Sequence, residues 1–184
     1  TRLSGMEATE LAGHRAVWMR PYRHALARAQ WIIGDRDGFA EVLPYLTAPL
    51  MPGEWPFMGP AAATARGIDA LFNKSWRTAE LAFREALQSF DRYRMPMVYA
   101  DVRINLAYAL LGQGKKHDAW AAFEPAYGEV IREHALGLFL LEAKSVIDEL
   151  LETAPAQVRS EPSHAGLVDH WRQWTDSSQA QADT

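Results

Sequence analysis

The sequence predicts an all-α protein, a right-handed solenoid of helical hairpins with a period near 40 residues. Three observations carry that reading. Apolar residues recur at helical spacing along most of the chain, and no turn signal flanked by alternating strand runs marks a β-hairpin. The third is a repeat: Phe39, Ala79 and Ala119 lie 40 residues apart, and the same offset carries Leu43 to Phe83 and Phe123, and Leu46 to Ala86 and Ala126. In the helices before them it carries Ala27 to Gly67 and Ala107, and Trp31 to Leu71 and Leu111. Small residues recur where two helix backbones approach closely, and large ones where the space between pairs is filled, so each hairpin buries the face of the next.

Taken in order, the elements follow from local chemistry. Glu7–Gly13 reads as a short helical segment, and residues 1–14 as a remnant or cap. Residues 15–153 form the repeat domain, about three helix pairs and part of a fourth. The clearest helix runs from Ser75, a hydroxyl N-cap, to Arg92, with Ala79, Phe83, Ala86, Leu87 and Phe90 on one face and Glu80, Arg84, Gln88 and Asp91 on the opposite, solvated one. Pro96 opens Met97–Leu111, since its missing N–H costs nothing in a first turn, and Gly112-Gln113-Gly114 stops it. Ala119, Ala122, Phe123, Ala126, Tyr127 and Val130 stripe the following helix. Leu138–Leu151 begins a fourth unit that Pro155 and Pro162 interrupt, and His164–Trp174 closes the fold with Leu167, Trp171 and Trp174 on one side. Residues 154–176 are thus a capping helix and 177–184 a polar, disordered tail. Between the first two hairpins, Pro49–Pro60 holds four Pro and two Gly and reads as an ordered loop, not a helix. Its apolar side chains pack on the outer helices, or Trp55 and Phe57 close over a groove as a lid.

Composition narrows the function. In 184 residues, 19 basic against 23 acidic side chains leave a net charge of −4, which removes the basic footprint that phosphate neutralisation needs. The basic and aromatic mixture at Arg77, Arg84, Arg92, Tyr93 and Arg94 is interleaved with Glu80, Glu85 and Asp91, as on a solvated helix. With no Cys there is no disulfide, thiolate metal site or thiol nucleophile. The apolar run Leu136–Leu141 is far too short to span a bilayer, and no secretory leader opens the chain, so a cytoplasmic protein is expected. The opening residue Thr1 is compatible with a fragment. The six histidines lack ligand spacing, and the lone Glu-x-x-His, Glu161 to His164, contains Pro162. Gln113-Gly114-Lys115-Lys116 lacks both the upstream Gly and the closing Ser/Thr of a phosphate loop and reads as a helix-to-helix turn with solvated lysines. No catalytic residue, metal or cofactor is expected.

The order within each unit (Gly67, Ala79, Phe83, Ala86 and then Ala107, Ala119, Phe123, Ala126) resembles the tetratricopeptide pattern, lengthened from its usual period of about 34 residues. That resemblance places the first helix of each pair along a concave groove. The matched positions are His24, Arg28 and Trp31, then Ile68 and Leu71, then Asp101, Ile104, Asn105 and Tyr108. Arg28 with Asp101 and Asn105, flanked by Trp31 and Tyr108, would orient a small polar ligand against aromatic walls. The alternative is that Trp31 and Ile104 are inter-helix core and the charges are merely solvated.

The runs SWRTAELAFREALQSF, VRINLAYALLGQGKKHDAWAAFEPAY and ALGLFLLEAKSVIDELL are similar to the helical-repeat sensor region of LuxR-type ATP-dependent transcriptional regulators, the group that includes the maltose-regulon activator. The likeness covers roughly Tyr22 to Leu151. In that family an ATPase module precedes the repeats and a DNA-reading module follows them. This chain holds neither a phosphate loop nor a DNA-reading segment after Trp174, so the resemblance implies a sensor region that itself neither hydrolyses ATP nor contacts nucleic acid. Its implied partner is a small-molecule inducer or a regulatory protein. An independent tetratricopeptide-type scaffold for protein partners would show the same pattern, and exposed repeat ends would allow homo-oligomers.

Overall fold

The computed structural model describes residues 8–50, 58–90, 96–132, 140 and 143–182, and of these the side chains at 8–18, 90, 96, 97 and 178–182 lie outside the description. Nine helices and no strand occur among the described residues: α1 (Ala8–Ile33), α2 (Arg36–Thr47), α3 (Met58–Phe72), α4 (Trp76–Phe90), α5 (Pro96–Leu111), α6 (Lys116–Arg132), α7 (Lys144–Thr153), α8 (Ala156–Arg159) and α9 (Pro162–Ala182). The first six pair as α1–α2, α3–α4 and α5–α6, with α2 also against α3 and α4 against α5. The first helices of the pairs meet in order, α1 on α3 and α3 on α5. Then α7 packs on α5 and α6, and α9 on α6.

The 40-residue period reaches down to single hydrogen bonds. Each pair turns at a residue with left-handed backbone: Gly34 (φ 74°), Lys74 (φ 53°) and Gly114 (φ 73°). In each turn the next residue's N–H reaches five positions back, from Asp35 to Gln30 (2.8 Å), Ser75 to Ala70 (2.8 Å) and Lys115 to Leu110 (3.0 Å). The left-handed residues themselves bond three back, to Trp31, Leu71 and Leu111. This double bond is the Schellman closure, which satisfies carbonyls that a helix end leaves orphaned. The second helices open alike, the carbonyls of Asp35, Ser75 and Lys115 accepting from Phe39, Ala79 and Ala119.

Most of the repeated apolar positions are in the core, with Trp31 and Leu43 partly buried against it. Phe39, Leu46, Ala79, Phe83, Ala86, Ala119, Phe123 and Ala126 are all buried, as are Ala27, Leu71, Ala107 and Leu111. Gly67 is needed for close approach, because a Cβ there would sit 2.5 Å from Cε1 of Phe83. Phe83 is fully buried against that backbone, and burial of such a ring is worth roughly 1.5–3 kcal/mol.

Several expectations need correction. Glu80 does not lie on a solvated face: it is only 3% exposed. Its carboxylate accepts from Arg77 Nη1 (2.9 Å), Arg84 Nε (3.0 Å), Gln113 Nε2 (3.0 Å) and Lys115 Nζ (2.9 Å), so it ties α4 to the turn after α5. Lys115 is therefore an ion-pair partner and not a solvated turn lysine. Met58, Gly59 and Pro60 belong to α3 rather than to a loop; Pro60 sits in the first turn, where no helical N–H partner is lost. Met51, Trp55 and Phe57, and with them the expected lid, lie outside the described residues, as do Asp91, Arg92, Tyr93, Arg94 and residues 136–139. A turn at Ala143 precedes α7, so Leu138–Leu151 is not one uninterrupted helix. The tail expected to be disordered is helical through Ala182, its Thr175 and Ser177 hydroxyls satisfied on the carbonyls of Trp171, Arg172 and Gln173. Within α9, Leu167 and Trp171 are buried as expected, and Trp171 stacks on Trp174 at 5.0 Å.

Candidate functional site

Helices α1 and α5 carry all six residues singled out from the sequence, three each, and divide them between two cavities. His24, Arg28 and Asp101 line the smaller, of about 10 Å³, together with Leu46, Thr64 and Ile68. That is room for one water at most. Arg28 of the first hairpin pairs with Asp101 of the third, Nε to Oδ2 at 3.6 Å, beside a cavity that Ile68 of the second also lines. Burial raises the pKa of Asp101 and the guanidinium works against that rise. Burial also drives His24 down to about 4, helped by the charge of Arg28, so His24 is neutral at pH 7. Arg28 and Asp101 form an ion pair, and His24 lies beside them along the same small cavity.

Trp31, Asn105 and Tyr108 line the larger cavity, of about 270 Å³. Its other walls are Ile32, Ile33 and Gly34 at the end of α1, Ile104 of α5, and Ser145 and Val146 at the start of α7. The two cavities are linked through α5, where Asn105 Nδ2 donates to the Asp101 carbonyl at 3.0 Å. The aromatic wall is a connected set of rings: Trp31 meets Phe72 edge-on (4.9 Å) and Tyr108 at 6.0 Å, and Tyr108 meets Trp76 edge-on at 5.8 Å. None of the nine lining residues carries a charge. The chemistry on offer is therefore an indole face, a phenol, an amide and a hydroxyl among isoleucines, which suits a neutral molecule with one apolar side and a few hydrogen-bonding groups.

Ser145 and Val146 were not legible as site residues, because nothing in their local pattern shows that α7 folds back beside α5. The end of α1 had a signal in Gly34-Asp35, a helix-stop pair after an apolar run. Glu161 and His164, the lone Glu-x-x-His, pack around one indole instead of forming a metal site: Trp120 Nε1 donates to Glu161 Oε2 (2.9 Å) and the His164 ring lies 5.6 Å from that of Trp120. No cluster of three or more His, Asp or Glu able to hold a metal occurs among the described residues, and no described helix is long and apolar enough to cross a membrane. No protein family, curated protein or solved structure matches this chain.

Proposed function

We propose that this chain is an effector-sensing helical-repeat region, its hairpins stacked as a right-handed solenoid, of the kind that serves LuxR-type transcriptional regulators. Its effector is a neutral small molecule held in the cavity between the end of α1, α5 and the start of α7. The observation that carries this reading is the 270 Å³ cavity itself, walled by uncharged and largely aromatic or aliphatic side chains from three separate parts of the chain. A ligand that touches α1, α5 and α7 at once favours the arrangement in which those walls are close, and only such differential affinity shifts a conformational equilibrium. The polar residues facing α3 favour this reading over a peptide-binding scaffold, because Arg28 and Asp101 engage each other.

Thermal unfolding against a panel of neutral metabolites, with Trp fluorescence alongside, tests the proposal. A ligand at about 100 times its Kd stabilises the fold by about 2.7 kcal/mol, or roughly 5–11 °C for a chain of this length. The shift should be lost in Tyr108→Ala, and binding should change Trp emission through Trp31. A panel without any shift, or a shift that Tyr108→Ala leaves intact, would overturn the assignment of the cavity.

A further inference from the structure

One residue of the larger cavity breaks the repeat. The 40-residue register carries Asn105 back onto Ala65 and Ala25, so only the third hairpin places a polar side chain there. Asn105 is 3% exposed and still lines the cavity. Its Nδ2 donates to the Asp101 carbonyl at 3.0 Å and lies 3.4 Å from Asp101 Oδ1. Both neighbours are acceptors, so turning the amide over would set oxygen against oxygen, and the nitrogen is held on that side. Oδ1 is thus the end left for the cavity, and among the described residues it accepts no hydrogen bond. Folding alone does not call for such a group. Asparagine is a poor interior helix former, and a buried carbonyl without a donor costs stability that alanine would not.

We infer that Asn105 selects the effector by accepting a hydrogen bond from it, so that the ligand is a small neutral molecule with an N–H donor, of the carboxamide or lactam class. This inference rests on the cavity being the effector site. A ligand N–H supplies the donor that Asn105 Oδ1 lacks. The hydroxyl-bearing Tyr108 and Ser145 line the same cavity and can donate to the ligand's own carbonyl, and an amide carries both groups side by side. Charge is disfavoured in both directions. A carboxylate or phosphate would meet an acceptor oxygen and the carbonyl end of α1, which Ile32, Ile33 and Gly34 bring to the wall and which the helix dipole makes negative. A cation would leave water with no carboxylate among the nine lining residues to receive it. A ketone or ester has the flat shape but no donor, so it leaves Asn105 Oδ1 desolvated and unpaired. At 270 Å³ the space is below the range of drug-sized sites, which suits one or two rings against the Trp31 indole.

Probes of one shape test this, with NMR of the isotope-labelled whole chain reading the Trp31 indole and Asn105 side-chain amide signals. Benzamide at millimolar concentration should shift both signals saturably. Acetophenone, in which a methyl replaces the amino group, should bind about 5- to 150-fold more weakly, and benzoate should not register. In Asn105→Leu, with the fold checked by circular dichroism, benzamide should fall to the level of acetophenone. The wild-type comparison stands even if that variant does not fold. Acetophenone or benzoate binding as tightly as benzamide, or a folded Asn105→Leu that keeps the preference, would overturn selection by Asn105 while leaving the cavity as a ligand site. Benzamide shifts that Tyr108→Ala leaves intact, or no shift at all, would overturn the reading of the cavity and this inference with it.

Discussion

Replacing Glu80 with Gln tests the link between the second and third hairpins, since Gln keeps the shape of the side chain and removes its charge. Burial alone would raise the carboxyl of Glu80, but hydrogen bonds from Lys115, Gln113, Arg84 and Arg77 outweigh it and hold the pKa near 2 instead of 4.5. At about 1.4 kcal/mol per unit, that depression corresponds to about 3 kcal/mol of stability at neutral pH. The three cations around it are partly exposed and screened by water, so about 2–3 kcal/mol should survive as the measured difference. For a chain of this length that is roughly 4–12 °C in Tm. The sign follows from a folded pKa below the unfolded one. As pH falls, the unfolded chain takes up the proton first, so the advantage of Glu80 is complete above about pH 4.5 and gone near pH 2. Urea unfolding of both proteins at pH 7 and pH 3 reads this directly, and by pH 3 less than half of the gap should remain. A gap that does not change between those pH values, or a Glu80→Gln protein as stable as the wild type at pH 7, would refute the clamp.

Three further outcomes follow from the same geometry. Lys74→Gly should stabilise the fold by about 0.5–1 kcal/mol by relieving the left-handed backbone, whereas Gly34→Ala and Gly114→Ala should each cost about 1 kcal/mol; urea midpoints decide, and matching signs at all three would refute the equivalence of the turns. Gly67→Ala should destabilise by about 1–3 kcal/mol, because the added methyl meets the Phe83 ring, and Gly67→Ala/Phe83→Leu should recover part of the loss in a double-mutant cycle. His24 has a folded pKa lowered to about 4 from 6.5, so the unfolded chain binds the proton first and stability should fall as pH drops through that window. In His24→Gln the slope of stability against pH between 6.5 and 4 should be shallower, and an unchanged slope would count against burial of a neutral imidazole.

The hairpins were legible because their period is written in residue size. Gly67 and Ala107 occupy positions where only a small residue lets the paired ring approach, and Phe83 and Phe123 occupy positions that a large one must fill, so one offset exposes both. What stayed hidden depends on contacts between hairpins. Glu80 reads as surface because its neighbours in sequence are Arg77 and Arg84, and its burial is created by Gln113 and Lys115 from the next hairpin. How the six expected groove positions are grouped was not legible: the pairing of Arg28 with Asp101, and the division of the six between two cavities, are properties of how the helices stack. The helical tail of α9 escaped because its Thr and Ser hydroxyls serve the helix backbone rather than solvent.

The order in which the helices meet has a consequence for how the chain reaches this state. From α1 to α6, every substantial contact joins elements at most two places apart in sequence. Contact order is correspondingly low, so each closure orders only a short loop and the entropy of bringing ends together is spread over many small steps. A single hairpin with its neighbour is then enough of a nucleus, and assembly can spread outward in either direction. Two side-chain contacts reach further, Arg28 to Asp101 and Trp31 to Tyr108, each joining the first hairpin to the third. Such contacts span the most chain, so closing them costs the most loop entropy of any in the array.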